Sequence, residues 1–141
     1  MSKSPDGPAR CPSAPGTPGA LLIGVVEENG RVANLGTPLP VDAGFLGVVA
    51  ANGPAERKFR FSSRCIEGHC SQWDGHGCGL INRVVGNVAA ANALEIPAAL
   101  PRCAIRASCR WWRQRGAAAC AVCPLVITDA GELETDAVLV P

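Results

Sequence analysis

Apolar residues run unbroken through "ALLIGVV" (20–26), then give way to two glutamates and Asn29-Gly30 before a shorter apolar return. A β-branched run, an Asn-Gly turn and a second run predict a β-hairpin. "TPLPVD" interrupts the return strand. Asp42 then stands where an N-cap side chain accepts backbone donors, predicting a short helix over "AGFLGVVAAN" that stops at Gly53-Pro54. "KFRFS" alternates cationic and aromatic side chains, the period of a half-buried strand. "LINRVVGNVAAANALE" carries apolar residues at helical spacing and ends before Pro97, and a further helix is expected over "CRWWRQRGAAAC". "PLVITD" and "AVLV" read as strands joined by a turn at 129–131.

These elements predict a small α+β fold. An N-terminal β-hairpin plus short helix occupies residues 20–62. A loop-rich cysteine region with short helices, duplicated in motif, occupies 63–141. Residues 1–19, rich in Pro, Gly and Ser, read as a flexible or strap-like leader.

Composition adds one constraint. Three Phe, three Trp and no Tyr in 141 residues leave a core of Val, Leu, Ile and Ala, which stabilises weakly for its size. Cross-links or a bound inorganic centre are therefore expected. The leader has no apolar h-region, and "ALLIGVV" is too short to span a bilayer, so the expected setting is cytoplasmic, with no membrane partner. In such a setting eight cysteines are metal ligands or redox centres before they are disulfides.

The charge is unevenly distributed although the net is only +1. Residues 57–115 carry ten basic and three acidic side chains, whereas the last 26 residues carry four acids and no base. Positive charge thus coincides with the cysteines, as compensation for a buried anionic centre or as a docking face for an acidic partner.

The cysteines fall into a repeated frame. "RCIEGHCSQWDGHGC" (64–78) and "RCAIRASCRWWRQRGAAACAVC" (102–123) both open Arg-Cys, continue to a second Cys and a Trp three residues beyond it, and close on further Cys. The intervals are Cys65-x4-Cys70-x7-Cys78 and Cys103-x5-Cys109-x10-Cys120-x2-Cys123. Structural zinc, the alternative metal, takes its ligands as two close pairs, and only Cys120 and Cys123 form one. An iron–sulfur cluster accepts wider and less regular intervals, often with a final Cys-Pro, as at Cys123-Pro124. A four-thiolate cubane is anionic, and Arg64, Arg102, Arg106, Arg110, Arg113 and Arg115 supply matching charge. Trp73 and Trp112 would shield it from water.

Two clusters, of the [4Fe–4S] type, follow from eight cysteines. Cys103, Cys109, Cys120 and Cys123 make one complete set. Cys65, Cys70 and Cys78 need a fourth ligand, for which Cys11 is expected and His69 and His76 are alternatives. The Cys-x2-Cys-Pro ending and the duplicated four-cysteine layout resemble those of bacterial two-cluster ferredoxins. That resemblance implies single-electron transfer. It covers only the cysteines, because the compact Cys-x2-Cys-x2-Cys-x3-Cys-Pro run is absent.

The leading expectation is therefore an electron carrier, with an acidic redox protein docked on Arg106, Arg110, Arg113 and Arg115. One alternative is an enzyme whose N-terminal cluster, holding only three cysteines, leaves an iron open as a Lewis acid. Another is a zinc- or cluster-based nucleic-acid-binding regulator, since "CRWWRQRG" joins cations to aromatics.

Overall fold

A computed structural model describes residues 8–128. The fold is α+β, built on one four-stranded antiparallel sheet. Its strands are β1 (Arg10–Ala14), β2 (Leu21–Val26), β3 (Val32–Pro40) and β4 (Phe59–Arg64), in the order β1-β4-β2-β3. The helices are α1 (Ala43–Ala50), α2 (Gly79–Ala90), α3 (Arg110–Arg115) and α4 (Ala117–Val122).

The hairpin β2–β3 turns at Gly30, whose φ of 82° suits glycine. Its second strand is longer than expected: the "TPLP" stretch stays in β3, and Leu22 pairs with Leu39 after a register shift. Asp42 caps α1, its carboxylate accepting the Phe45 N–H at 2.9 Å.

The strap-like leader contributes a strand. Arg10 pairs with Arg64 and Cys11 with Ser63, after which the ladder slips by one residue at Pro12-Ser13, because proline has no N–H to donate. Further along, the Gly16 N–H donates to the Glu56 carboxylate at 2.6 Å, and Gly16 lies so close to the Phe61 ring that a Cβ would sit 2.7 Å from it.

β4 is central, and its alternation serves two cores. Phe61 points with Leu22, Ala20, Val41 and Ala55 toward α1. Arg60 and Ser62 point to the opposite face, where Ile23, Ile81, Val84, Val85, Trp111, Val122 and Val126 form the larger core. α2 presents Ile81, Val84 and Val85 to that core at helical spacing and stops at Ala90, two residues before Asn92, which is left-handed at φ 57°.

Two further expected elements differ. The single helix over "CRWWRQRGAAAC" is two, broken at Gly116 with φ 63° and ψ −141°, a conformation that side chains with a Cβ disfavour. The expected strand "PLVITD" begins as a 3-10 turn, Cys123–Leu125, and Val126 is buried outside any strand. "AVLV", the turn at 129–131 and the acids Asp129, Glu132, Glu134 and Asp136 lie outside the described residues.

Candidate metal centres

The sheet and the helices sort the eight cysteines into two sets of four. Cys11 lies on β1, and the thiols of Cys65, Cys78 and Cys70 stand near enough for their charges to act on it. Strand pairing makes this meeting: β1 runs beside β4, and the Cys65 N–H donates to the Ala9 carbonyl at 2.9 Å just past the end of β4. Cys70 follows a 3-10 turn, and Cys78 caps α2.

The other four, Cys103, Cys109, Cys120 and Cys123, line one pocket with Arg60, Arg106, Trp111 and Trp112. The space they enclose is small, and part of it is open to solvent. The break at Gly116 matters here. It lets Cys109, at the start of α3, and Cys120, within α4, face the same space. Pro12, next to Cys11, also lines this pocket, so β1 separates the two sets.

The sequence repeat is also a repeat of backbone. Ile66 precedes a 3-10 turn, Glu67–His69, that delivers Cys70; Ile105 precedes Arg106–Ser108, which delivers Cys109. The His69 and Ser108 N–H groups donate to Ile66 and Ile105 at 3.0 and 2.9 Å. Burial differs: Ile105 belongs to the core, whereas Ile66 is 57% exposed.

Burial raises the pKa of Cys11, Cys109 and Cys120. The Cys11 thiol is pushed up to about 11, by desolvation first and then by its three cysteine neighbours, against the Ser13 N–H. Cys109 is pushed to about 12, again mainly by desolvation, with the Trp112 N–H acting the other way. Cys120 is raised by burial, while Arg106 opposes the rise.

Arg60 is the residue that sequence reasoning missed. Its side chain is 1% exposed, and no carboxylate among the described residues pairs with it. Nη1 donates to the Cys123 sulfur, and Nη2 donates to the carbonyls of Cys123 (2.8 Å) and Val126. Its Nε is buried without an acceptor, and the guanidinium lies 5.8 Å from the Trp111 ring centroid. The alternation in "KFRFS" carried a hint, since it sets Arg60 opposite two aromatics. Only the stacking of helices on that face shows that both sides of β4 are covered.

Arginines expected at a docking face turn inward. Arg106 donates to the Cys120 sulfur at 3.4 Å and to the Pro101 carbonyl, and lies over Trp112. Arg110 pairs with Glu67 at 2.6 Å and lies over Trp73. Arg113 donates to the Ala107 carbonyl at 3.3 Å, whereas Arg115, Arg102 and Arg64 are exposed. The alternative ligands His69 and His76 are both exposed. The loop of His76 is instead organised by Asp74, which accepts the N–H groups of His76 and Gly77; these bonds hold its carboxyl below the usual range.

The sets are joined by Gln114 of α3. Its Oε1 accepts the Cys78 N–H at 2.8 Å, and its Nε2 donates to the Cys78 carbonyl at 2.8 Å and to Asn82 at 3.0 Å. Gly77 makes room for it, since a Cβ there would meet Oε1 at 2.5 Å. Among the described residues, no three His, Cys, Asp or Glu side chains close around a single ion position. No helix among them is long and apolar enough to cross a membrane. No protein-family model, curated protein or solved structure matches the chain.

Proposed function

We propose that this chain is a two-centre iron–sulfur protein that carries single electrons. The observation that carries the reading is Arg60. A guanidinium stays charged in proteins, and burying it without an anion costs several kcal/mol. Its sulfur partner, Cys123, belongs to a set of four cysteines around one pocket, so a thiolate-ligated anionic centre supplies the charge that is lacking among the described residues. The donor set fits such a group: four thiols, two arginines directed at sulfur, and two tryptophans on the wall.

Cys103, Cys109, Cys120 and Cys123 would hold the C-terminal cluster, and Cys11, Cys65, Cys70 and Cys78 the N-terminal one. A bound [4Fe–4S] cluster accepts and releases one electron at a time. Arg60 and Arg106 offset negative charge, and Trp111 and Trp112 exclude water from the C-terminal pocket. Arg102 and Arg115 remain exposed for an acidic redox partner.

Cys11 stands with Cys65, Cys70 and Cys78, which supports a complete site over an open Lewis-acid site. Trp111 is 2% exposed and Trp73 and Trp112 are covered by arginines, so base stacking has little support. The test is anaerobic purification after iron-replete expression, with iron, sulfide and zinc analysis. A brown protein with iron and acid-labile sulfide is expected. A colourless protein with stoichiometric zinc and no sulfide overturns the reading.

A further inference from the structure

The two sets of cysteines meet different donors. In the C-terminal set two sulfurs are approached by cations: Cys123 by Arg60, and Cys120 by Arg106 at 3.4 Å. Asn34 Nδ2 stands a further 4.0 Å from the Cys123 sulfur. The sulfur contacts in the N-terminal set are neutral backbone groups, the Ser13 N–H to Cys11 and the Gln72 N–H to Cys70, each at 3.4 Å. The arginines beside that set bond elsewhere or face solvent: Arg110 pairs with Glu67, Arg10 donates to the Ser62 hydroxyl at 3.2 Å, and Arg64 is exposed. The difference is one of formal charge in contact with sulfur.

Resting on the iron–sulfur reading, we infer that Arg60 and Arg106 hold the C-terminal centre at a higher reduction potential than the N-terminal centre. Adding an electron makes an anionic centre more anionic, so a fixed cation at its sulfur stabilises the reduced form. Burial opposes this, because desolvation disfavours added negative charge. The cation prevails because Arg60 is buried with the sulfur: the same dry surroundings that weaken solvation also leave its charge unscreened. A neutral N–H dipole provides less, since charge-assisted hydrogen bonds are about twice as strong as neutral ones. Of the two centres, the C-terminal one is then reduced first at equilibrium.

Both arginines act through sulfur and are positioning residues, so the readout is a potential. The full chain, loaded with iron and sulfide, is titrated anaerobically with dithionite and followed by paramagnetic resonance. Two one-electron waves are expected. Cys70→Ser should remove or alter the lower wave and leave the higher in place. Arg106→Gln should move the higher wave to more negative potential and leave the lower unmoved, and Arg60→Lys, which keeps the charge, should move it less. Arg106 is only half buried, so its variant reports even if changes at Arg60 prevent folding. If the wave that survives Cys70→Ser is the lower one, or if Arg106→Gln moves neither wave, the inference is overturned while iron and sulfide content still upholds the underlying reading. Absence of iron and sulfide from the wild-type chain removes that reading, and this inference with it.

Discussion

Arg60 of β4 donates to the sulfur of Cys123, 63 positions along the chain, from a side chain 1% exposed. The same guanidinium holds the carbonyls of Cys123 and Val126. One strand residue thus fixes the turn that carries Cys123 against the sheet. Arg60→Met should destabilise the chain by roughly 3 kcal/mol, because two buried carbonyls lose their donor. Arg60→Lys, which cannot reach all three acceptors from one ammonium, should fall between Met and wild type. Anaerobic urea unfolding of the iron-loaded proteins, in which Arg60 has its anion, gives the order; equal stability of Arg60→Met and wild type would show that the contact contributes nothing.

Gln114 gives a second expectation. Gln114→Ala leaves the Cys78 N–H and carbonyl without their side-chain partner and should weaken the N-terminal site, although Gln114 lies on the helix of the other set. Iron content should fall toward half under mild chelation, and Gly77→Ala should do the same by displacing the Gln114 amide. Losses confined to the C-terminal set, read from a Cys70→Ser background, would contradict this.

Cys11→Ser should likewise lower iron toward half. The leader should stay protected from protease, because β1 is held by its pairing with β4, by the Ser13–Thr128 contact at 2.5 Å and by Gly16–Glu56, none of which needs the thiol. Cys120→Ser, in contrast, should open residues 100–128, where four of the proposed ligands lie within one short stretch. Mass-spectrometric mapping of early cleavage sites separates the two outcomes.

The metal-free chain should lose stability in alkali. The folded state holds the Cys11 and Cys109 protons up to about pH 11 and 12, whereas an unfolded thiol gives up its proton near 9.0. The stability tied to these thiols is therefore complete below about pH 9 and is lost as pH rises toward 11–12. With no Tyr and two Lys against eight Cys in the chain, thiols dominate the titration in that window. The urea midpoint should hold steady from pH 7 to 8.5 and fall by pH 11; a midpoint that rises would have the sign wrong.

Much of the fold was legible in local pattern. The hairpin around Asn29-Gly30, the Asp42 cap, the strand in "KFRFS" and the apolar face of α2 all follow from periodicity and turn chemistry within a few residues. The duplicated Arg-Cys, Cys and Trp frame was legible too, whereas the Ile that precedes each 3-10 turn emerged only with the backbone. Gly116 was visible as a residue, yet reading it as part of one helix missed the break, because glycine permits a helical or a left-handed backbone and only the surrounding packing selects.

The grouping of the cysteines divides the same way. Cys103, Cys109, Cys120 and Cys123 could be grouped from sequence because they are neighbours along the chain. That Cys11 stands with Cys65, Cys70 and Cys78, that Arg60 is buried against Cys123, and that Arg106 and Arg110 turn inward were decided by tertiary structure. These contacts join residues 14 to 67 positions apart. They depend on which strand pairs with which and on which face of β4 the helices cover, and local propensity encodes neither.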